Sequence, residues 1–259
     1  MSFSNRWPRA LITGAAGGIG RCFANTLAAD GVALGLLDLS ALDETASRAR
    51  GNGARVFSRR ADVGDARSLA AAVEELAAEL GGIDLVIHCA AILGPGTFTR
   101  QPAADFERVL GVNLGGTANV VRAVVPLLKA GGGGAIACIA STAALHGWPE
   151  MSAYSAAKFA VAGLCDALRP ELERDGIVLT SVFPLLIDTP LIAGPDPPPI
   201  LKTGRPIAPQ AVVDKTLAAV KKRKARVFVP QSVRVVAALQ GLAPSLLDAF
   251  ARRFGMRRR

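Results

Sequence analysis

The chain has 259 residues, of which 51 % are apolar, 5 % aromatic and 20 % charged. This balance excludes a chain that is disordered throughout, and the length is typical of one α/β domain with a large sheet. The net charge is +9, but residues 221–259 hold eleven Lys and Arg against one acid, whereas residues 1–220 are nearly neutral.

Seven short apolar segments alternate along the chain with longer segments rich in Ala, Leu, Glu and Arg. The predicted strands are residues 10–13, 32–37, 55–58, 85–89, 135–140, 178–183 and 225–229, and the helices between them include 68–80 and 153–173. Strands that are apolar on both faces need helices on both sides. The alternation therefore predicts an α/β fold with a doubly wound, parallel seven-stranded sheet, whose ligands bind beyond the carboxyl ends of the strands.

A glycine-rich loop, residues 13–20 (TGAAGGIG), follows the first strand and opens the first helix. Gly14 allows a tight turn, Gly18 lets a pyrophosphate approach the backbone, and Gly20 lets the helix pack close to the sheet. The helix N-terminus supplies amide donors for the phosphates. The alternative interpretation is a glycine-rich turn that binds no ligand.

Asp38 ends the second predicted strand, 18 residues after Gly20. A carboxylate there accepts hydrogen bonds from both ribose hydroxyls of NAD and repels the extra phosphate of NADP. NADP would call for a basic residue at the positions of Gly17 or Leu39, so we expect NAD, with NADP as the less favoured cofactor. The alternative role for Asp38 is an N-cap of the next helix, which Ser40 could also supply.

Tyr154, the only tyrosine, and Lys158 are four residues apart and share one face of a predicted helix. A phenol beside an ammonium group can pass a proton to or from a carbonyl or alcohol oxygen. Ser141 follows the fifth strand, where its hydroxyl could hold that oxygen. Alone, Tyr154 and Lys158 would be read as a surface pair; Ser141 and the glycine loop favour the catalytic interpretation.

Together these residues resemble the short-chain dehydrogenase/reductase family over residues 8–192. The resemblance implies a Rossmann fold in which Tyr154 is the acid/base and Ser141 orients the substrate oxygen. It implies that Lys158 binds the nicotinamide ribose and lowers the pKa of the tyrosine, and that Asn113 holds a water of the proton relay. Asp62 and Val63 would flank the adenine, and Thr189 would contact the carboxamide.

The site implied by this resemblance has two parts. The cofactor residues are Gly14, Gly17, Gly18, Ile19, Gly20, Asp38, Leu39, Asp62, Val63, Cys89, Ala90, Ala91, Tyr154, Lys158, Pro184, Ile187 and Thr189. The substrate residues are Ser141, His146, Tyr154, Leu185 and Leu191. For His146, a surface loop is an equally open interpretation. We predict no metal, because only two histidines are present and four cysteines without a CxxC spacing are read as buried thiols.

Two motifs depart from the family pattern. His88-Cys89-Ala90-Ala91 replaces the usual Asn-Asn-Ala-Gly, and Leu185 follows Pro184 where the family has glycine. We read His88 as a hydrogen-bonded core histidine rather than a catalyst. Leu185 brings a bulky apolar group close to the expected nicotinamide. Since the four catalytic positions remain, the departures are interpreted as tuning.

Two segments lie outside these motifs. Residues 190–209 contain seven of the sixteen prolines and are predicted to form a semi-rigid lid loop, largely apolar, with Lys202 and Arg205 at its far end. Such a lid favours a hydrophobic substrate, although a charged sugar nucleotide or an acyl-carrier substrate stays open. Residues 231–259 are predicted to form a basic amphipathic extension of two helices, 232–242 and 245–255. It could contact a membrane surface, a partner subunit or the domain itself; we expect no nucleic acid.

These features predict a catalytic domain over residues 1–230 and a helical extension over residues 231–259. The expected activity is hydride transfer between NAD(H) and a secondary alcohol or ketone in a homo-oligomeric enzyme. The alternatives are a nucleotide-binding sensor or scaffold without turnover, and a peripheral membrane reductase that modifies lipids with NADP(H). The first residues lack an apolar signal segment, so we expect a cytoplasmic protein, with contact at the inner face of a membrane as the variant.

Overall fold

The computed structural model describes residues 2–193 and 197–255. Within them, seven parallel strands form one sheet in the order β3-β2-β1-β4-β5-β6-β7, which confirms the predicted fold class. The strands are β1 (Arg9–Thr13), β2 (Ala33–Asp38), β3 (Val56–Arg60), β4 (Leu85–His88), β5 (Gly134–Ile139), β6 (Ile177–Pro184) and β7 (Arg226–Val229). Each begins and ends within two residues of the predicted bounds.

Helices cover both faces of the sheet. Those in the described residues are α1 (Gly18–Ala29), α2 (Asp43–Gly51), α3 (Ala66–Leu80), α4 (Ala103–Leu110), α5 (Gly116–Ala130), α6 (Ser152–Glu173), α7 (Pro209–Lys221), α8 (Val233–Leu242) and α9 (Pro244–Phe254). α4 and α5 are joined by one wider helical turn, Gly111–Gly115. Helix α2 begins after Leu42, so neither Asp38 nor Ser40 is its N-cap, and both capping alternatives were wrong.

The core consists of two apolar layers, one on each face of the sheet. Phe23 and Leu27 of α1 pack with Val212 of α7 on one face. On the other face, Leu76 of α3 packs with Val124 of α5. Two of the four cysteines differ from the expectation of burial: Cys138 and Cys165 are buried, whereas Cys22 and Cys89 are half-buried; all four are free thiols.

The carboxyl ends of β1, β4, β5 and β6 bring four functional segments to one edge of the sheet. The order of the strands reverses between β1 and β4, where ligands of such sheets bind. The glycine loop follows β1, Cys89 follows β4, Ser141 follows β5, and the predicted lid follows β6. The topology thus gathers the nucleotide and catalytic motifs at one edge.

The predicted lid loop contains two short 3₁₀ turns, Pro190–Ile192 and Pro199–Lys202. Its base is pinned by a parallel bridge between Ile187 and Ile207, which ends just before α7. Residues 194–196 of the lid and 256–259 of the basic extension lie outside the described residues.

Candidate active site

Three glycines of the loop lie so close to neighbouring atoms that a side chain would not fit at their positions. Gly14 has a φ of +66°, and a Cβ there would lie 2.5 Å from the Ala90 nitrogen. A Cβ on Gly20 would lie 2.1 Å from the Gly14 oxygen, and one on Gly18 would lie 2.7 Å from Cγ2 of Thr189. Among the described residues, no side chain caps the N-terminus of α1. Its first amides therefore fit a phosphate, and the loop forms a cradle that any side chain would fill.

Asp38 lies beside this cradle at the end of β2. Its Oδ2 accepts the N–H of Ala16 at 2.9 Å and its Oδ1 accepts the N–H of Ser40 at 2.8 Å. The two bonds fix the carboxylate at the rim of the loop. A carboxylate held in this place fits the ribose hydroxyls of a dinucleotide.

Two arginines also lie near this rim. Arg60 is in register with Asp38 across β2 and β3, and its Nε donates to the Leu39 carbonyl at 2.7 Å. Arg21 pairs with Glu44 at 2.6 Å and donates to the Ala16 carbonyl. Sequence reasoning did not bring Arg60 to this site, because only the strand register does so.

The predicted adenine residues have mainly structural contacts. Asp62 Oδ1 accepts the N–H of Gly64 at 2.8 Å. Val63 is buried against α5, since a Cβ on Gly116 would lie 2.6 Å from its Cγ2. Asn119 donates to the Val63 carbonyl at 3.0 Å. These contacts fix the loop after β3, and the valine side chain belongs to the core.

His88 is the centre of a buried hydrogen-bond chain. Its Nδ1 lies 2.7 Å from Thr13 Oγ1, and its Nε2 lies 3.0 Å from Thr117 Oγ1. Thr117 donates its own proton to the Asn113 carbonyl at 2.6 Å. Thr117 must therefore accept from Nε2–H, and Thr13 donates to Nδ1. Burial, together with the charge of Lys158, lowers the pKa of His88 to about 3, so the ring is neutral.

Asn113 lies in the wide turn between α4 and α5 and is buried. Its side-chain amide pairs with the backbone of Ile92, accepting its N–H at 3.1 Å and donating to its carbonyl at 2.9 Å. The side chain thus anchors the segment after β4. The water that the family resemblance assigns to Asn113 stays a prediction.

Tyr154, Lys158 and Ser141 come together at the carboxyl end of β5. Lys158 Nζ donates to the Ile139 carbonyl at 2.9 Å and lies 5.6 Å from the centroid of the Tyr154 ring. Ser141 Oγ accepts the N–H of Ala143 at 3.1 Å, which leaves the hydroxyl proton for another acceptor.

The protonation of these groups differs from the expectation. Burial raises the pKa of Tyr154 to about 12, and a hydrogen bond with Ser141 acts in the opposite direction. Burial lowers the pKa of Lys158 to about 8, against the opposing influence of nearby thiols. The expected lowering of the tyrosine pKa by Lys158 is not found in this structure; the lowering comes from Ser141, and the loss of water around the phenol outweighs it.

These three residues open into a cavity of about 480 Å³. The predicted site residues that line it are Ile19, Cys89, Ala91, Ser141, Tyr154, Lys158, Pro184, Leu185, Ile187, Thr189 and Leu191. Its lining is mainly apolar. Gly14, Gly17, Gly18, Gly20, Asp38, Leu39, Asp62, Val63, Ala90, Asn113 and His146 do not line it. The glycine loop and Asp38 instead extend the site along the edge of the sheet.

His146 does not face the cavity. Its Nδ1 lies 3.0 Å from Gln240 Oε1 of α8, and its Nε2 lies 4.0 Å from Asp248 of α9. Its ring packs edge-on against Trp148 at 4.9 Å. The predicted substrate contact of His146 is thus replaced by contacts with the two C-terminal helices.

Sequence reasoning missed one wall of the cavity. Val236 of α8 and Leu247 and Phe250 of α9 line it, although they lie far along the chain from the catalytic residues. Their helical spacing was visible, but no local signal connects a tail helix with a cavity formed after β5 and β6. The division at residue 230 stays a prediction, and the extension contributes to the site.

Comparison with known proteins gives one family. A family model described as short chain dehydrogenase matches residues 8–196. The probable oxidoreductase EphD of Mycobacterium tuberculosis is 35 % identical over 82 % of this chain. The match covers 39 % of EphD, so the chain spans well under half the length of that relative.

Two further similar proteins are described together with NAD. The 2-dehydro-3-deoxy-L-rhamnonate dehydrogenase (NAD(+)) of a Sphingomonas species is 35 % identical, over 71 % of this chain and 73 % of that protein. A short chain dehydrogenase/reductase from Burkholderia phymatum, solved in complex with NAD, superposes with a TM-score of 0.84 at 26 % identity. That match covers 92 % of this chain and 94 % of the solved chain.

Proposed function

The chain belongs to the short-chain dehydrogenase/reductase family of oxidoreductases, and we propose that it transfers a hydride between NAD(H) and a secondary alcohol or ketone. One observation carries the proposal: Tyr154, Lys158 and Ser141 open into a single, mainly apolar cavity that also reaches Thr189 beside the glycine loop. A proton donor, an orienting hydroxyl and a cofactor cradle thus share one site.

The cofactor in this proposal is NAD rather than NADP. The carboxylate of Asp38, fixed at the rim of the glycine loop, supports this choice, because it would repel a phosphate on the ribose. The Sphingomonas relative, which is named with NAD(+), and the Burkholderia structure in complex with NAD add support. When bound, the nicotinamide supplies the hydride acceptor or donor.

The chain's own residues then move the proton. In reduction, the neutral phenol of Tyr154 gives its proton to the carbonyl oxygen while the carbonyl carbon receives the hydride, which yields the alcohol. In oxidation, the phenolate removes the hydroxyl proton as the hydride leaves the carbon. Ser141 donates a hydrogen bond to the same oxygen, and Lys158, held by the Ile139 carbonyl, positions the cofactor ribose.

A hydrophobic substrate is the second part of the proposal. Leu93, Met151, Leu185, Leu201 and Phe250 contribute to the lining, so desolvation of an apolar substrate would favour binding. Arg205 is the one cation other than Lys158 among the described residues of the lining. The name of the Sphingomonas relative indicates a sugar acid, which this lining does not favour.

The alternative activities and the remaining expectations stay proposals. A nucleotide sensor without turnover is motivated by His88-Cys89 and Leu185, which depart from the family motif. A lipid-modifying reductase that uses NADP(H) at a membrane surface is motivated by the cavity wall that α8 and α9 form. We propose a homo-oligomer and a cytoplasmic location, with contact at the inner face of a membrane as the variant.

The test is turnover with NADH and NAD on a panel of apolar ketones and secondary alcohols. The absorbance of the reduced cofactor measures the turnover. Tyr154→Phe should lower kcat by at least about 100-fold, because it removes the transferable proton. Ser155→Ala is the matched control: it removes a neighbouring buried hydroxyl that contacts the Trp148 backbone at 3.3 Å and does not line the cavity.

The same measurements distinguish the proposed dehydrogenase from the sensor and from the lipid-modifying reductase. Wild type that binds NADH without converting any compound, and a Tyr154→Phe variant that behaves identically, would support the sensor. Turnover only with NADPH and vesicle-bound substrates would support the lipid-modifying reductase. Equal loss in Tyr154→Phe and Ser155→Ala would remove the acid/base role of Tyr154.

A further inference from the structure

The outer side of α8 and α9, here called the C-terminal helix pair, is unusually apolar. Among the described residues ten large apolar side chains are exposed, and half of them lie on these two helices. They are Val235, Leu242, Leu246, Phe250 and Phe254, here called the outer apolar strip. Leu242 and Leu246 flank the bend between the helices and are 86 % and 59 % exposed. A protein surface that faces only water rarely concentrates apolar side chains in this way.

Arginines border the outer apolar strip. Arg252 and Arg253 are exposed in the last turn of α9, and Arg253 lies over the Phe254 ring at 5.4 Å. Arg234 is exposed on α8 next to Val235. Residues 231–259 hold six arginines and one acid, Asp248. The surface therefore combines apolar side chains with positive charge.

The remaining basic residues of the C-terminal region belong to a different surface. Lys222 and Lys224 precede β7 and lie near the amino ends of the strands, whereas the helix pair follows the carboxyl end of β7. Arg226 pairs with Asp166 of α6. The single basic tail seen in the sequence is thus divided by β7 into two regions at opposite ends of the sheet.

The inner side of the helix pair is part of the candidate active site. Val236 and Leu247 line the cavity, and Phe250 both lines it and is 41 % exposed. On this side His146 contacts Gln240 of α8. The Trp148 ring packs edge-on against the Phe250 ring of α9. The outer apolar strip is therefore continuous with the cavity lining at Phe250.

We propose that the C-terminal helix pair lies in the surface of an anionic lipid bilayer, with the outer apolar strip inserted and the arginines on lipid phosphates. In the described part of the chain, no single helix has the length and apolar character to cross a bilayer. α8 and α9 pass that test only together and are bent by 118°, which fits two helices lying in an interface rather than one span. The inference goes beyond the proposed activity and does not depend on it.

A second copy of the chain is the competing occupant of this surface. A symmetric contact would bring two copies of the same surface together, and each copy carries the exposed Arg234, Arg252 and Arg253 against the single acid Asp248. Such like charges repel each other, whereas anionic lipid phosphates neutralise them. Charge complementarity therefore favours the lipid surface.

The test is co-sedimentation of the full chain with vesicles of phosphatidylcholine and phosphatidylglycerol, and with vesicles of phosphatidylcholine alone. We expect binding to the anionic vesicles that weakens at high salt. Leu242→Ser with Leu246→Ser should reduce binding at least about tenfold by removing apolar insertion. Arg252→Glu with Arg253→Glu should reduce it by a similar factor.

A matched charge control separates local contact from total charge. Lys222→Glu with Lys224→Glu makes the same charge change at the opposite end of the sheet and should keep vesicle binding. Thermal unfolding of each variant shows whether it is folded. Wild type that does not sediment with anionic vesicles would overturn the proposal. So would equal loss in the control pair, or a Leu242→Ser, Leu246→Ser variant whose only change is dissociation of an oligomer on size exclusion.

Discussion

The nucleotide half and the substrate half of the site are built by different means. In the nucleotide half, the Gly20–Gly14 approach and the Asp38–Ala16 hydrogen bond lie within the first 40 residues, and Ala90 and Thr189 close the loop from outside. In the substrate half, side chains from β5, β6, the lid and the C-terminal helix pair meet around one cavity. The first half therefore depends on spacing along the chain, and the second depends on long-range packing.

The largest expected effect is in the nucleotide half, for Gly20→Ala. The new Cβ would lie 2.1 Å from the Gly14 oxygen and 2.8 Å from the Gly14 carbonyl carbon. Since backbone cannot move aside cheaply, we expect a loss of at least about 3 kcal/mol in the free energy of unfolding. NADH binding should be lost as well. Urea denaturation and NADH fluorescence titration measure the two effects.

Gly241→Ala is the control for that variant. Gly241 lies inside α8, and a methyl group added there would meet no atom within 4 Å, so alanine should stabilise the helix by about 0.5–1 kcal/mol. Gly20→Ala with wild-type stability and NADH affinity would show that the loop is looser than its contacts indicate.

A second large effect is expected at His88, which joins the two halves through Thr13 and Thr117. Its folded pKa of about 3 lies below the ordinary value of 6.5, so the unfolded chain binds a proton first as the pH falls. Stability is therefore present above pH 6.5 and is lost as the pH falls towards 3. At about pH 4.5 the loss amounts to about 3 kcal/mol.

His88→Asn tests this dependence, because asparagine does not titrate in this range. Urea denaturation near neutral pH and near pH ~4.5 should show that the variant loses about 3 kcal/mol less than wild type between the two conditions. An equal loss in both proteins would mean that other groups cause the acid sensitivity.

The contrast between the halves also explains what the sequence can predict. The seven strands follow from short apolar runs, and Tyr154, Lys158 and Ser141 follow from spacing and from position after β5. Such signals are local, so they can be recognised without knowing how distant segments pack together. The order of the strands in the sheet was not predicted and comes from the structure.

Features that depend on contacts between distant segments were not predicted. Val236 and Phe250 reach the cavity because α9 packs against the lid turn Pro199–Lys202 and α8 packs against α9. His146 contacts both helices. Arg60 approaches Asp38 through the register of β2 and β3. The raised pKa of Tyr154 has the same origin, since burial is a property of the assembled site.

A moderate effect confined to the nucleotide half is expected for Asp38→Asn. The variant keeps the shape of the side chain but removes the charge and one acceptor. NAD affinity should fall about 10- to 100-fold, and discrimination against NADP should relax, because Arg60 stays nearby. Titration with NADH and NADPH measures both. Asp43→Asn removes an exposed charge at the start of α2 and should change neither affinity; a wild type that prefers NADPH would contradict the assignment of Asp38.

The smallest expected effect is in the substrate half, for Val236→Ala. The variant removes two methyl groups from the cavity wall, so the KM for an apolar ketone should rise about fivefold while the affinity for NADH stays unchanged. Val235→Ala is the matched control, because Val235 is 58 % exposed on the same helix and does not line the cavity. Asp38→Asn should show the opposite pattern, with a large change in NADH affinity and a small one in ketone KM. If Val236→Ala weakened NADH as much as the ketone, the two halves would be one coupled unit, and the separation drawn from their construction would be wrong.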